Sequence, residues 1–104
     1  MPDSVKTTPV ITREDTPTGG RYVARLGNEP EAEMTFSKAG KKFLIIDHTG
    51  VPGELAGKGV GKALVEHMVK DAREQGVKII PLCPFTKAML VKHKEWQDIL
   101  KDPF

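Results

Sequence analysis

Hydrophobic positions along the chain follow two periods, and the change between them falls at one glycine-rich stretch. Gly19-Gly20 marks a turn, after which Arg21–Leu26 (RYVARL) reads as a strand, closed by a second turn at Gly27–Pro30. In Ala32–Ser37, Ala32, Met34 and Phe36 alternate with Glu33, Thr35 and Ser37, the pattern of a half-buried strand. Ala39-Gly40-Lys41 connects tightly to Lys42–Thr49 (KFLIIDHT), whose unbroken Phe43–Ile46 run suits a central strand covered on both faces. Consecutive strands with such short links predict an antiparallel β-meander. From Val60 to about Gln75 the period becomes helical. Val60, Leu64, Met68 and Ala72 recur every fourth residue, widened by Ala63, Val65 and Val69, while Lys62, Glu66, Lys70 and Glu74 face water. Gly76 offers a left-handed cap. Val77–Cys83 (VKIIPLC), interrupted by Pro81, reads as a further strand. In Pro84–Lys94 the residues Phe85, Ala88, Met89 and Lys92 share a helical face, with Pro84 in the first turn and Cys83 near the N-cap. Trp96, Ile99 and Leu100 are expected to close the core. The order is β-β-β-loop-α-β-α, an α+β (α/β) chain.

Composition sets bounds on this picture. At 104 residues the chain is the size of one domain, and 38% hydrophobic content suffices for an ordinary small core. Residues 1–19, rich in Pro, Thr and Asp, are expected to form a flexible N-terminal arm, and 20–104 the single folded domain. The net charge of +2, without a long basic run, argues against a nucleic-acid partner. No stretch approaches a membrane span or a signal-peptide core. One cysteine excludes an internal disulfide framework, and a cytoplasmic protein, monomeric or homodimeric, is expected. Three dispersed histidines and that cysteine give no zinc spacing, so no metal is expected.

The candidate chemistry centres on Val51–Leu64 (VPGELAGKGVGKAL), between the Lys42–Thr49 strand and the long helix. Strand, glycine loop and helix together present bare backbone N–H groups to a phosphate at a helix N-terminus, and Lys58 and Lys62 add positive charge there. A P-loop fails by spacing: Ala63 stands where the hydroxyl belongs and Ala56 where the leading glycine belongs. A dinucleotide fingerprint fails too, because Lys62 or Leu64 occupies the third glycine position.

Val51-Pro52 followed by Leu55–Leu64 instead resembles the acetyl-CoA pyrophosphate loop of the GNAT-superfamily N-acetyltransferases, with Gly59 and Gly61 matching and Ala56 replacing the usual long polar residue. The resemblance runs from Arg21 to Leu100 and is nearest to the small single-domain branch. His48-Thr49-Gly50-Val51-Pro52, Pro81-Leu82-Cys83-Pro84-Phe85 and His93-Lys94-Glu95-Trp96 carry it further. It implies a GNAT-like acyl-CoA N-acyltransferase fold, whose strands before and after the loop helix splay into a V for the pantetheine arm. It implies acetyl-CoA as cosubstrate and direct acetyl transfer to an amine, of unidentified nature. Backbone groups of Asp47–Val51, including Thr49, Gly50 and Val51, would engage the thioester. Gly57, Lys58, Gly59, Val60, Gly61 and Lys62 would hold the pyrophosphate, and Cys83 and Phe85 would line the V. Larger relatives carry two acceptor-holding helices for which the Gly27–Pro30 link is too short.

Acetyl transfer to an amine needs a deprotonated amine, stabilisation of the oxyanion and a proton for the leaving thiolate. Many GNAT relatives supply that proton from a tyrosine on the last helix. The only tyrosine here is Tyr22, on the first predicted strand. Cys83, with its thiolate favoured by a helix N-terminus, is the substitute, set against a plain role as a small buried hydrophobe. His48, at the mouth end of the central strand, is the candidate proton acceptor, set against a purely structural histidine. Glu54 is a weaker candidate on an exposed loop, and His67 and His93 read as structural or surface residues. A non-catalytic acyl-CoA-binding module is the alternative, suggested by the absent tyrosine and acceptor helices; in a third reading the glycines only shape a turn.

Overall fold

The structure is a computed structural model that describes residues 8–102. Its elements run β1 (Val10–Asp15), β2 (Gly19–Arg25), β3 (Ala32–Ala39), β4 (Phe43–Gly50), α1 (Val60–Gln75), β5 (Lys78–Pro81) and α2 (Pro84–Lys92). A 3₁₀ turn over Gly53–Leu55 precedes α1, and a longer 3₁₀ segment, Lys94–Ile99, follows α2. One five-stranded sheet holds the strands in sequence order. β1 to β4 form an antiparallel meander, and β5 joins β4 in parallel, with Phe43 opposite Lys78 and Ile46 opposite Pro81.

The expectation of a flexible arm over residues 1–19 fails where the structure can be read: Val10–Asp15 is an edge strand paired along its length with Gly20–Arg25. Residues 1–7 of that arm lie outside the described residues. Of its two inward residues, Ile11 packs against the core and the other is an arginine. Arg13 reaches over the Phe36 ring, 4.9 Å from its centroid, and its Nη1 donates to Asp71 Oδ2 of α1 at 2.6 Å. The Tyr22 hydroxyl donates to the same oxygen at 2.6 Å. Burial first, then the bond to Asp71, pushes the Tyr22 phenol far above its ordinary pKa. The β1–β2 hairpin also demands glycine. A Cβ on Gly19 would strike the Phe36 carbonyl oxygen, and one on Gly20 the Glu14 carbonyl oxygen.

A single core forms where the inward residues of the sheet meet the helices: Tyr22, Met34, Phe36, Leu44 and Ile46 against Leu64, Met68 and Leu90. Trp96, Ile99 and Leu100 of the tail join it, as their apolar spacing predicts. The core is covered on one face of the sheet. On the other face Phe43 and Ile45 are only half-buried, so the expectation of a strand covered on both sides is corrected. β4 is an interior strand of a sheet whose outer face meets solvent over much of its area. Helix α1 ends at Gly76, left-handed at φ 70°, whose N–H donates to the Ala72 carbonyl.

β4 also carries an irregularity that places the site. Phe36 pairs with Ile46 and Thr35 with His48, leaving Asp47 as an extra residue in the strand. Such a bulge shifts the alternation of side chains by one. Ile46 and Thr49 therefore both turn toward the helices, whereas His48 and Gly50 turn to the outer face opposite Thr35 and Glu33.

Candidate active site

The glycine loop is built from three separate requirements. Leu55, 1% exposed, anchors the 3₁₀ turn in the core. Gly57 and Gly59 adopt left-handed backbone at φ 76° and 74°, which side chains other than glycine seldom accept. Gly61 is needed for packing: a Cβ there would lie 2.7 Å from Phe85 Cζ. Gly59 is the N-cap of α1 and offers no side-chain cap, and the first turn contains no acidic residue. The positive end of this 16-residue helix is therefore met by no carboxylate of its own. Beside it lies a shallow groove of about 250 Å³, floored by Gly57, Gly59 and Gly61 and walled by Val51, Val60, Lys62 and Phe85. Leu55, Ala56 and Met89 also line it. Met89 shares a helical face with Phe85, which is the signal by which sequence could have placed it there.

Lys58 does not line this groove; its Nζ lies 3.6 Å from Glu29 Oε2, on the turn between β2 and β3. Gly50 is not in it either. Gly50 and Val51 instead line a second hollow, of about 360 Å³, on the outer side of the β4 end. Val51 is common to both cavities.

Behind the groove, β4 and β5 part. The Leu82 and Cys83 amides both donate to the Ile46 carbonyl, after which Asp47–Gly50 diverges from the chain entering α2. Thr49 crosses the gap: its Oγ1 lies 3.3 Å from Cys83 Sγ and 3.3 Å from Thr86 Oγ1. Cys83 is the N-cap of α2, buried to 3% exposure. Burial pushes its thiol up, but the Thr49 hydroxyl, the Thr86 amide and hydroxyl, and the Phe85 amide outweigh that effect and hold it below an ordinary thiol. Thr86, fully buried, is a site component that the sequence did not single out; one Thr in an apolar helix carries no periodic signal.

His48 and Cys83 are not brought together. They lie on opposite faces of β4, and the His48 ring is exposed with its Nε2 3.2 Å from where a Gly50 Cβ would stand. Glu54 is exposed in the 3₁₀ turn. His67 packs edge-on against Tyr22 at 5.6 Å, and His93 stacks on Trp96 at 4.3 Å. Tyr22 is committed to Asp71. Among the described residues no cluster of His, Cys, Asp and Glu is grouped to hold a metal ion, and no helix is long and apolar enough to cross a membrane.

A five-stranded sheet, diverging strands either side of a loop helix and an uncapped, glycine-floored helix N-terminus define a GNAT-like fold. The family model for GCN5-related N-acetyl-transferases matches residues 21–99, and the chain belongs to that family. It is also similar to the solution structure of a GCN5-like protein from Staphylococcus aureus, with 37% identity, a TM-score of 0.66 and 86% of each chain covered. No curated protein matches the chain.

Proposed function

We propose that the protein is an acetyl-CoA-dependent N-acetyltransferase that transfers the acetyl group directly to an amine. The observation that carries this reading is the uncapped N-terminus of α1, with its left-handed glycines, opening onto an apolar groove beside the parted strands. Backbone N–H groups of Gly59–Lys62 suit a pyrophosphate, and Lys62 adds charge on the groove wall. Val51 and Phe85, two residues along the chain from Thr49 and Cys83 respectively, form apolar wall of the groove, which Thr49 and Cys83 do not themselves line.

The thioester supplies an activated carbonyl; the amine nitrogen forms the new C–N bond, the C–S bond breaks, and CoA leaves as a thiolate. Cys83 gives that thiolate its proton. The hydrogen bonds that lower the Cys83 thiol make the transfer to an ordinary thiolate favourable, and Thr49 and Thr86 then hold the Cys83 thiolate until it is reprotonated. His48, on the outer face, takes the proton released by the amine. A free cysteine in such a role suits a reducing compartment, in keeping with a cytoplasmic protein.

A non-catalytic acyl-CoA-binding module is the second reading, favoured by one observation: the sole tyrosine is buried on Asp71 and unavailable to a leaving thiolate. Calorimetry with CoA, followed by acetyl transfer to a panel of amines with Cys83→Ser and Cys83→Ala, separates the two. CoA binding with turnover that falls in both variants supports the transferase. Binding without transfer to any amine supports the module, and absence of CoA binding overturns both.

A further inference from the structure

We propose that the hollow on the outer side of the β4 end receives the acceptor, and that it selects a small amine bearing a second positive charge. This rests on the transferase reading above and names the substrate class of its site. The hollow, of about 360 Å³, falls within the usual size of small-molecule sites. It is walled by Arg21, Glu31, Glu33 and the Gly50–Pro52 segment. Its position is the first argument. Val51 also walls the groove at the helix N-terminus, so the two cavities meet at the end of one strand, each approaching it from its own side. His48 stands on the hollow's side of that strand, its Nε2 3.2 Å from the point that a Gly50 Cβ would fill. The group assigned to take the amine's proton does not itself line the hollow but stands next to Gly50, which does.

Charge is the second argument. Arg21 bridges Glu14 at 2.8 Å and Glu33 at 2.9 Å, and Arg25 bridges Glu31 at 2.6 Å. Three carboxylates are thus shared between two guanidiniums, which leaves one negative charge in excess. Each carboxylate has acceptor capacity beyond the bonds it makes to arginine. The side chains of these pairs are 36–51% exposed, so the pairs are weak and exchange readily with an incoming ammonium group. A carboxylate on the acceptor would meet the excess negative charge instead. The short Gly27–Pro30 link leaves this face uncovered, so strand side chains, rather than helices, define the acceptor's surroundings.

With acetyl-CoA saturating, kcat/KM is to be compared for 1,4-diaminobutane, butylamine and 4-aminobutanoate, which differ in the second charge alone, and for an N-blocked dilysine peptide. The expected order is diamine, monoamine, amino acid. A peptide that matches or exceeds the diamine would move the preference from free amines to lysine side chains and overturn the small-amine assignment. Glu31→Gln combined with Glu33→Gln should cut the diamine's advantage by about fivefold, the upper scale of a part-exposed charge pair, with CoA affinity unchanged. Equal rates for the three small amines, or a diamine preference intact in the double variant, overturns the proposal. If CoA binds and no amine is acetylated, the transferase reading fails on its own. Calorimetric titration of 1,4-diaminobutane into the CoA-bound protein then decides: binding lost in the double variant supports the hollow as a dication site, and absence of binding overturns it.

Discussion

Replacing Gly61 with alanine tests the groove at its narrowest point. The new Cβ would lie 2.7 Å from Cζ and 3.1 Å from Cε2 of Phe85. Non-bonded carbons rest at about 3.5–4.0 Å, so the ring must withdraw by roughly 1 Å. Phe85 is 38% exposed and the clashing atoms are the far edge of a rotatable ring, so the ring turns and the helix stays. Holding that ring off its rotamer costs about 0.5–1.5 kcal/mol, while alanine in place of glycine inside a helix recovers about 0.5–1 kcal/mol. These effects nearly cancel, and urea unfolding should change by no more than about 1 kcal/mol. CoA binding should behave differently, because the methyl group and the displaced ring both intrude on a groove of only about 250 Å³. The expected loss is about tenfold in Kd, or about 1.4 kcal/mol, measured by calorimetry. In a Phe85→Ala background the methyl group meets no ring, so the added loss should shrink, with a coupling of at least about 0.5 kcal/mol. An unchanged Kd in Gly61→Ala, or an equal loss without the ring, refutes the packing argument.

The remaining predictions probe the frame around that groove. Asp71→Ala removes the acceptor of the buried Tyr22 hydroxyl and one of the two carboxylates on Arg13, which keeps Asp15, and should cost about 1–3 kcal/mol in urea unfolding, with Asp71→Asn milder; equal costs would show that the charge is irrelevant. Gly59→Ala meets no atom within 4 Å but must hold φ 74°, so it should lose about 1–2 kcal/mol where Gly61→Ala loses little; no loss would exclude the left-handed cap. Asp15 beside Arg13 and Asp98 beside Arg73 are held below the usual carboxylate range. Their stabilisation is therefore full above the unfolded-state pKa and lost as pH falls through the folded values, below about pH 4. Asp98→Asn should flatten that part of a stability-against-pH curve. Alkylation of Cys83 should have its pH midpoint below that of an ordinary thiol, and Thr49→Val should raise it; a midpoint that ignores Thr49 removes the hydroxyl from the account.

Much of the frame is legible in the sequence because single physical rules govern it. Helix α1 has the predicted bounds, Val60–Gln75, since its apolar stripe is regular and a glycine flanks each end. β3 alternates cleanly, and Trp96, Ile99 and Leu100 are apolar because they fill the core. β1 is hidden because one of its two inward positions, the other being Ile11, is Arg13, which reads as polar yet lies against Phe36 and Asp71. The run Phe43–Ile46 suggests cover on both faces, but Phe43 and Ile45 face a side that the helices leave open. Thr86 is invisible for a related reason: its partner Thr49 lies 37 residues away, and no local pattern encodes that pairing.

The bulge at Asp47 shows why such a small domain can keep its candidate groups apart. A regular strand alternating from Leu44 and Ile46 would send His48 inward and Thr49 outward. The extra residue reverses this, and Ser37 Oγ, donating to Asp47 Oδ2 at 2.7 Å, holds the irregular turn of chain in place. Thr49 then faces Cys83 and Thr86 within the gap between the strands, while His48 stands exposed on the outer face opposite Thr35. The end of β4 thus has two unlike sides. On the inner side the buried Cys83 thiol lies beside the Thr49 hydroxyl, which also meets that of Thr86. The outer side is open and charged, with Arg21, Glu31 and Glu33 around the strand end. The shift of one residue that separates these chemistries costs no element of the fold, because β4 regains its pairing with β3 on both sides of Asp47.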